Sequence, residues 1–118
     1  MKREYKGTII EESLEDNRVL NKLDIRKLRV TKERNPADRW HLFSVFVTKK
    51  EIIKFSKKIK QGWYMHFWKR REVIVIFKNK RFEFDYDNKE SWKPAIEYGI
   101  SLGIPKKQLD FPIDRTNY

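Results

Sequence analysis

Residues 48–84 read TKKEIIKFSKKIKQGWYMHFWKRREVIVIFKNKRFEF. Their reading decides the fold, because they hold a helix with start and stop signals followed by three strand patterns. Thr48 and Glu51 have capping-box spacing: the threonine oxygen accepts from a first-turn N–H and the glutamate reaches back to the cap N–H. Ile52, Phe55, Ser56 and Ile59 recur at helical spacing, with Ile53 at the edge of that face and Lys50, Lys54, Lys57 and Lys58 opposite. Gly62 stands where a left-handed terminator is cheapest. The pattern predicts a helix over 49–61.

Three strands follow. Residues 63–69 are apolar or aromatic on both faces, with Trp63, Met65 and Phe67 on one and Tyr64, His66 and Trp68 on the other. Residues 72–78 are apolar on both faces and β-branched, as in a central strand. In residues 81–86, Phe82, Phe84 and Tyr86 alternate with Glu83 and Asp85, which leaves one wet face. Lys69, Arg70 and Arg71 link the first pair. Asn79 and Lys80 link the second, where Asn tolerates positive φ.

Outward from this stretch, Tyr5 to Ile10 has the apolar residues of a strand, and Glu11 and Glu12 extend it to 5–12. Residues 13–21 fit either a short helical turn or a long connection. Residues 23–33 form a strand whose alternation changes phase near Arg26 and Lys27, as a bulge would make it do. Asn35-Pro36 signals a turn, and 39–47 reads as a strand leading into the capped helix. A second helix is predicted over 90–102, with Pro94 tolerable in its first turn and Gly103 and Pro105 ending it. Residues 106–118 form a tail docked by Leu109, Phe111 and Ile113. Connections this short favour antiparallel pairing, with a crossover open to the passage from Trp40 through Phe67. The expected class is α+β: two layers, a mainly antiparallel sheet of about five to six strands, and two helices on one face.

The chain of 118 residues is long enough for one domain with a real core, so 1–118 is taken as a single unit. Charged residues make up 38% and apolar ones 39%, but the apolar residues are periodic, which argues against disorder. With no cysteine, a disulfide framework, a thiolate zinc site and a cysteine nucleophile are excluded. No apolar run approaches a membrane span and the N-terminus lacks a hydrophobic signal core, so a cytoplasmic protein without membrane contact is expected.

The runs YKGTIIEESLEDNRVL and EYGISLGIPKKQLDF resemble the two ends of a family of small prokaryotic proteins of uncharacterised function. RWHLFSVFV, GWYMHF and VIVIFKNKRFEFD follow that family's order, so the resemblance covers most of the chain. It implies one α+β cytoplasmic domain and no activity that can be named. Members often carry His and Glu at the positions of Phe43 and Phe46, and Asp at that of His66. This chain therefore departs from any polar site the family shares.

Charge points to a partner class. Residues 49–81 contain twelve bases and two acids, which is ten of the chain's net +11. Lys50, Lys54, Lys57, Lys58, Lys69, Arg70, Arg71, Lys78, Lys80 and Arg81 are candidates to neutralise phosphates and release counterions. Tyr64, His66 and Trp68 form a row able to stack single-stranded bases if that face is open. The plain alternatives are that the lysine face is merely solvated and the aromatics are core. The lysine face also points away from the sheet, so it cannot share a surface with aromatics on the far side.

Catalysis has little support. His41 and His66 are the only histidines, and a structural role is expected for both, with a ligand or general-base role for His66 as the alternative. Glu11 and Glu12 are read as strand neighbours pointing to opposite faces, unable to act together. No glycine-rich phosphate loop, cofactor motif or metal-ligand spacing is read. The expectation is binding of RNA or another single-stranded nucleic acid. The other reading is a small-ligand or protein-interaction module, which an exposed aromatic face would also allow to be a homodimer.

Overall fold

The computed structural model describes residues 2–113. Six strands form one sheet: β1 (Tyr5–Ile10), β2 (Asp24–Val30), β3 (His41–Val47), β4 (Met65–Lys69), β5 (Glu72–Phe77) and β6 (Lys80–Asp85). Their order is β2-β3-β1-β4-β5-β6 and every neighbouring pair is antiparallel. β3 and β4 flank β1 and so run parallel to each other. The helix α1 (Lys49–Lys58) carries the chain from one to the other across β1. A second helix, α2 (Lys93–Ser101), follows the β4–β5–β6 meander. The α+β class and the antiparallel six-stranded sheet are as expected.

One detail of that expectation is corrected. Each helix makes a helix-on-sheet layer, but the two lie on opposite faces. Ile52 and Phe55 of α1, and Ile59 just beyond it, share a core with Ile9, Val45, Val47, Met65, Phe67, Ile74 and Ile76. Ala95 of α2 packs with Val73, Val75 and Phe77, and with Trp92, Leu109 and Phe111. The cause lies in β5. Residues 73, 75 and 77 point one way and 74 and 76 the other, all are buried, and a strand apolar on both sides needs cover on both.

The capping box is present in full: Thr48 Oγ1 accepts from Glu51 N–H at 3.0 Å and Glu51 Oε1 accepts from Thr48 N–H at 2.9 Å. Thr48→Ala is expected to lower stability by about 0.5–2 kcal/mol, read as a fall in the urea midpoint. An unchanged midpoint would mean the cap contributes nothing.

The helix ends earlier than its periodicity suggests. Ile59 is extended and bridges Leu14, with Glu15 N–H donating to the Lys58 carbonyl and Lys60 N–H to that of Ser13, each at 2.8 Å. Gly62, at φ +89°, therefore serves the following turn, in which Trp63 N–H bonds the Lys60 carbonyl, and does not terminate the helix. Gly103, at φ +91°, is a true terminator. Its N–H bonds the Ile100 carbonyl and Ile104 N–H bonds that of Gly99, the two bonds of a Schellman close.

Other boundaries shift by one to three residues, the largest being the end of β2 at Val30 and the start of α2 at Lys93. A 3-10 turn (Lys89–Trp92) precedes α2, so Pro94 stands in the helix's first turn. The two β hairpins close through residues 70–71 and 78–79, with Arg70 at φ 58° and Asn79 at φ 57°. The register of β2 against β3 shifts between Ile25 and Lys27, where the change of phase predicted a bulge. Residues 13–21 resolve into 3-10 turns (Glu11–Ser13 and Asn17–Lys22), the second capped by Asp16. Of the docked tail, Leu109 and Phe111 are buried as expected; residues 114–118 lie outside the described part.

Candidate nucleic-acid interface

Strand parity sorts the candidate residues. Lys6, Thr8 and Ile10 of β1 share a face with Leu42, Ser44 and Phe46 of β3, by the pairs Lys6–Phe46, Thr8–Ser44 and Ile10–Leu42. All six are half-buried, while Ile9, Val45 and Val47 on the other side are fully buried. His66 and Trp68 of β4 continue the face, with Lys6 opposite Trp68. Helix α2 and the tail pack against the β5–β6 half of it. The β1–β3 half has no helix upon it among the described residues.

The row Tyr64, His66, Trp68 does lie on one side, but its members differ. The Tyr64 ring packs 5.9 Å from Phe77 and 5.7 Å from Phe111, and its hydroxyl donates to the Gln108 carbonyl. Burial pushes that hydroxyl's pKa up to about 12. His66 Nε2 lies 2.8 Å from the Pro112 carbonyl, and its ring sits 5.8 Å from Phe111 and stacks on Trp68 at 5.4 Å. Desolvation holds the His66 pKa below the usual imidazole value, although the Pro112 carbonyl and Asp110 pull it up. Tyr64 and His66 are thus tied to the strap of residues 108–113. Trp68 remains at the edge of a groove.

That groove, of about 410 Å³, is lined by Glu4, Lys6, Trp68, Lys69, Arg70, Arg71 and Ile113. It brings together one predicted stacking residue and three predicted cations, all from β4 and its hairpin. The cations are differently constrained. Lys69 pairs with Glu4 at 3.2 Å, and Arg71 is held by both carboxylate oxygens of Asp87 and lies over the Tyr86 ring. Arg70, at the exposed tip, has no ion-pair partner among the described residues. Lys6 and Glu4 were missed in the sequence because they stand with Lys2 and Arg3 in a short stretch of mixed charge that forms no single-sign run. Phe46, covered by the Arg26 guanidinium at 4.5 Å from its ring centroid, was also missed.

The remaining candidates lie elsewhere. Lys50, Lys54, Lys57 and Lys58 are exposed on α1, across the sheet from Trp68. Lys78 ties two elements together, donating to Glu15 and to the Lys57 carbonyl at 2.8 Å each. Arg81 pairs with Glu83 at 3.0 Å, and Lys80 stands over the Phe82 and Tyr98 rings. These two belong to the hairpin at the far end of β5 from Arg70.

A further cluster corrects the reading of Glu11 and Glu12. β1 ends at Ile10 and a 3-10 turn begins, so the two carboxylates do not point apart as in a strand. With His41 they place three potential metal-ligand atoms within 4.8 Å of one another. Glu12 clamps His41, accepting from its backbone N–H at 2.8 Å and meeting Nδ1 at 2.7 Å, while Glu11 accepts from Asn17. The Glu12 contact raises the His41 pKa. Burial works to raise Glu12, but its hydrogen bonds with His41 outweigh that and lower it. The cluster satisfies itself and fixes the start of β3 to the end of β1.

Among the described residues, no helix is long and apolar enough to cross a membrane. Comparison with protein-family models, with curated proteins and with solved structures finds no match.

Proposed function

We propose that this protein binds an anionic partner, single-stranded nucleic acid with RNA first, through the Trp68 groove. The observation that carries the reading is the Trp68 indole set among Lys6, Lys69, Arg70 and Arg71, beside a half-sheet that carries no helix among the described residues. Cations placed around an aromatic face suit a chain of phosphates bearing planar bases, since phosphate contacts release counterions and any base can stack. The role is one of binding, not catalysis. The lysines of α1 act through the general field that attracts polyanions and not by contact.

The test is fluorescence anisotropy with labelled oligouridylate and oligoadenylate over a series of salt concentrations. Arg70→Glu is expected to weaken binding to both sequences and to flatten the log–log salt slope by about 1 or more. Trp68→Ala is expected to weaken binding by about 1–3 kcal/mol with the slope unchanged. Reversing Lys54, Lys57 and Lys58 together should have a smaller effect than Arg70→Glu alone. Absence of binding at low salt, or indifference to Arg70→Glu, would overturn the proposal.

A second reading is a small-ligand or protein-interaction module, with the surplus charge serving solubility. It is favoured by a hollow of about 450 Å³ lined by Trp40, Trp63, Ile10, Met65 and Ile104. Homodimerisation through an apolar edge is a variant of it, since Ile25, Leu28 and Val30 are exposed on β2. Either form predicts association almost insensitive to salt.

A further inference from the structure

The Trp68 groove and the Trp40–Trp63 hollow are separate cavities with no lining residue in common, set end to end along β1 and β4 in a line that we take as one trough. Alternate residues of β1 run along its floor: Lys6 lines the first, and Thr8 and Ile10 line the second. On β4, Trp68 lines the first and His66 the second, and their rings are stacked with planes 28° apart. The strap forms a shared wall, contributing Ile113 to one end and Gln108 to the other. It is fastened to β4 at His66 and to Tyr64 just before that strand.

The two ends differ in chemistry. The cations gather around Trp68, while the other end is apolar and aromatic. There Trp40 is 42% exposed and meets Trp63 edge-on at 5.2 Å. Trp40 is also held in place, because its N–H donates to Thr31 Oγ1 at 2.8 Å and its carbonyl accepts from Thr31 N–H at 3.0 Å. An aromatic platform fixed by its backbone suits a stacked base. The floor from Lys6 to Ile10 spans about 13 Å at roughly 3.3 Å per residue, which is more than one nucleotide step of a single strand. A single nucleotide cannot occupy both ends.

We infer that the ligand is a short single strand that lies along the β1–β4 trough, with phosphates at the Lys69–Arg71 hairpin and a base stacked on Trp40. This rests on the nucleic-acid reading above and adds a second subsite, a minimum length and an orientation. The trough is the specificity element for length, and Trp40 is the residue that registers it.

The test measures affinity at low salt for uridine monophosphate, diuridylate, tetrauridylate and the matching thymidylates. Wild type is compared with Arg70→Glu, Trp68→Ala, Trp40→Ala and Trp40→Phe, each checked for fold by circular dichroism. Affinity is expected to rise at least tenfold from mononucleotide to tetranucleotide. Trp40→Ala should remove that gain, and Trp40→Phe, which keeps a stacking face, should restore most of it. Trp68→Ala should weaken every length. Mononucleotide binding that depends on Arg70 but shows no gain with length sinks the second subsite and leaves the first intact. So does a length gain that survives Trp40→Ala. If no member of either series binds, both readings fall together.

Discussion

Phe111→Ala is expected to cost about 3–5 kcal/mol of stability, the usual range for removing a fully buried phenylalanine ring. Phe111 has no exposed surface, and its ring lies within 5.3–5.8 Å of the rings of Trp92, Phe84, Tyr64 and His66. It is the anchor that seats the strap on the sheet. The Tyr64–Gln108 and His66–Pro112 hydrogen bonds flank it, and the cavity left by alanine would loosen both. Two readouts separate an anchoring role from a general packing loss. The urea midpoint reports the stability. Ultraviolet titration of Tyr64 in the still-folded variant should show its pKa falling from about 12 toward 10 as the strap lifts and water reaches the hydroxyl. A stability loss below about 1 kcal/mol, with the Tyr64 titration unchanged, would show that the strap is held by something other than Phe111.

How far the sequence could be read depends on the range of the interaction that decides each feature. The start of α1 was legible because Thr48 and Glu51 act on each other over three residues. Its end was not, because Ile59 and Lys60 leave the helix to meet Leu14 and Ser13, some 45 positions earlier, while the Lys58 carbonyl accepts from Glu15 N–H. Parity placed Tyr64, His66 and Trp68 on one face correctly. Which of them stays available was decided by Gln108, Phe111 and Pro112, and no local pattern in 63–69 contains that information. The doubly apolar β5 did hold the clue to helices on both faces, but was used only to place the strand centrally. Glu11 and Glu12 were misread because two neighbouring acids look alike at the end of a strand and at the start of a 3-10 turn. What brings them to His41 is the pairing of β1 with β3. Within the candidate interface, the hairpin cations were visible as a charge run. Lys6 and Trp40 entered only once the strand order was known.

Gly7→Ala sets two physical effects against each other, and the larger can be named in advance. Propensity favours the substitution, since glycine inside a strand is less favourable than alanine by about 0.5–1 kcal/mol. Packing opposes it. Gly7 lies at the centre of β1, opposite Val45 of β3 and Phe67 of β4, and the Phe67 ring covers the space a side chain would fill. An added Cβ would stand 2.7 Å from Phe67 Cε1 and 3.0 Å from the His66 carbonyl oxygen, with Cδ1 closer still. Phe67 has no exposed surface and packs on Phe55 at 5.8 Å, so its ring cannot swing into solvent. Overpacking of this kind costs about 1–3 kcal/mol, and with a backbone atom also in the way the upper end is expected. The net result should therefore be destabilisation, opposite in sign to propensity. The same backbone carries Lys6 and Thr8 on its other face, so a shift of β1 would also disturb the trough floor. A double-mutant cycle with Phe67→Leu identifies the cause. Phe67→Leu alone leaves a void and lowers stability, but with Gly7→Ala the smaller side chain makes room for the methyl. The double variant should thus lose clearly less than the sum of the two single losses. An additive cycle, or a Gly7→Ala variant as stable as the parent in urea, would show that the sheet centre yields without cost and that the Phe67 ring does not require glycine at position 7.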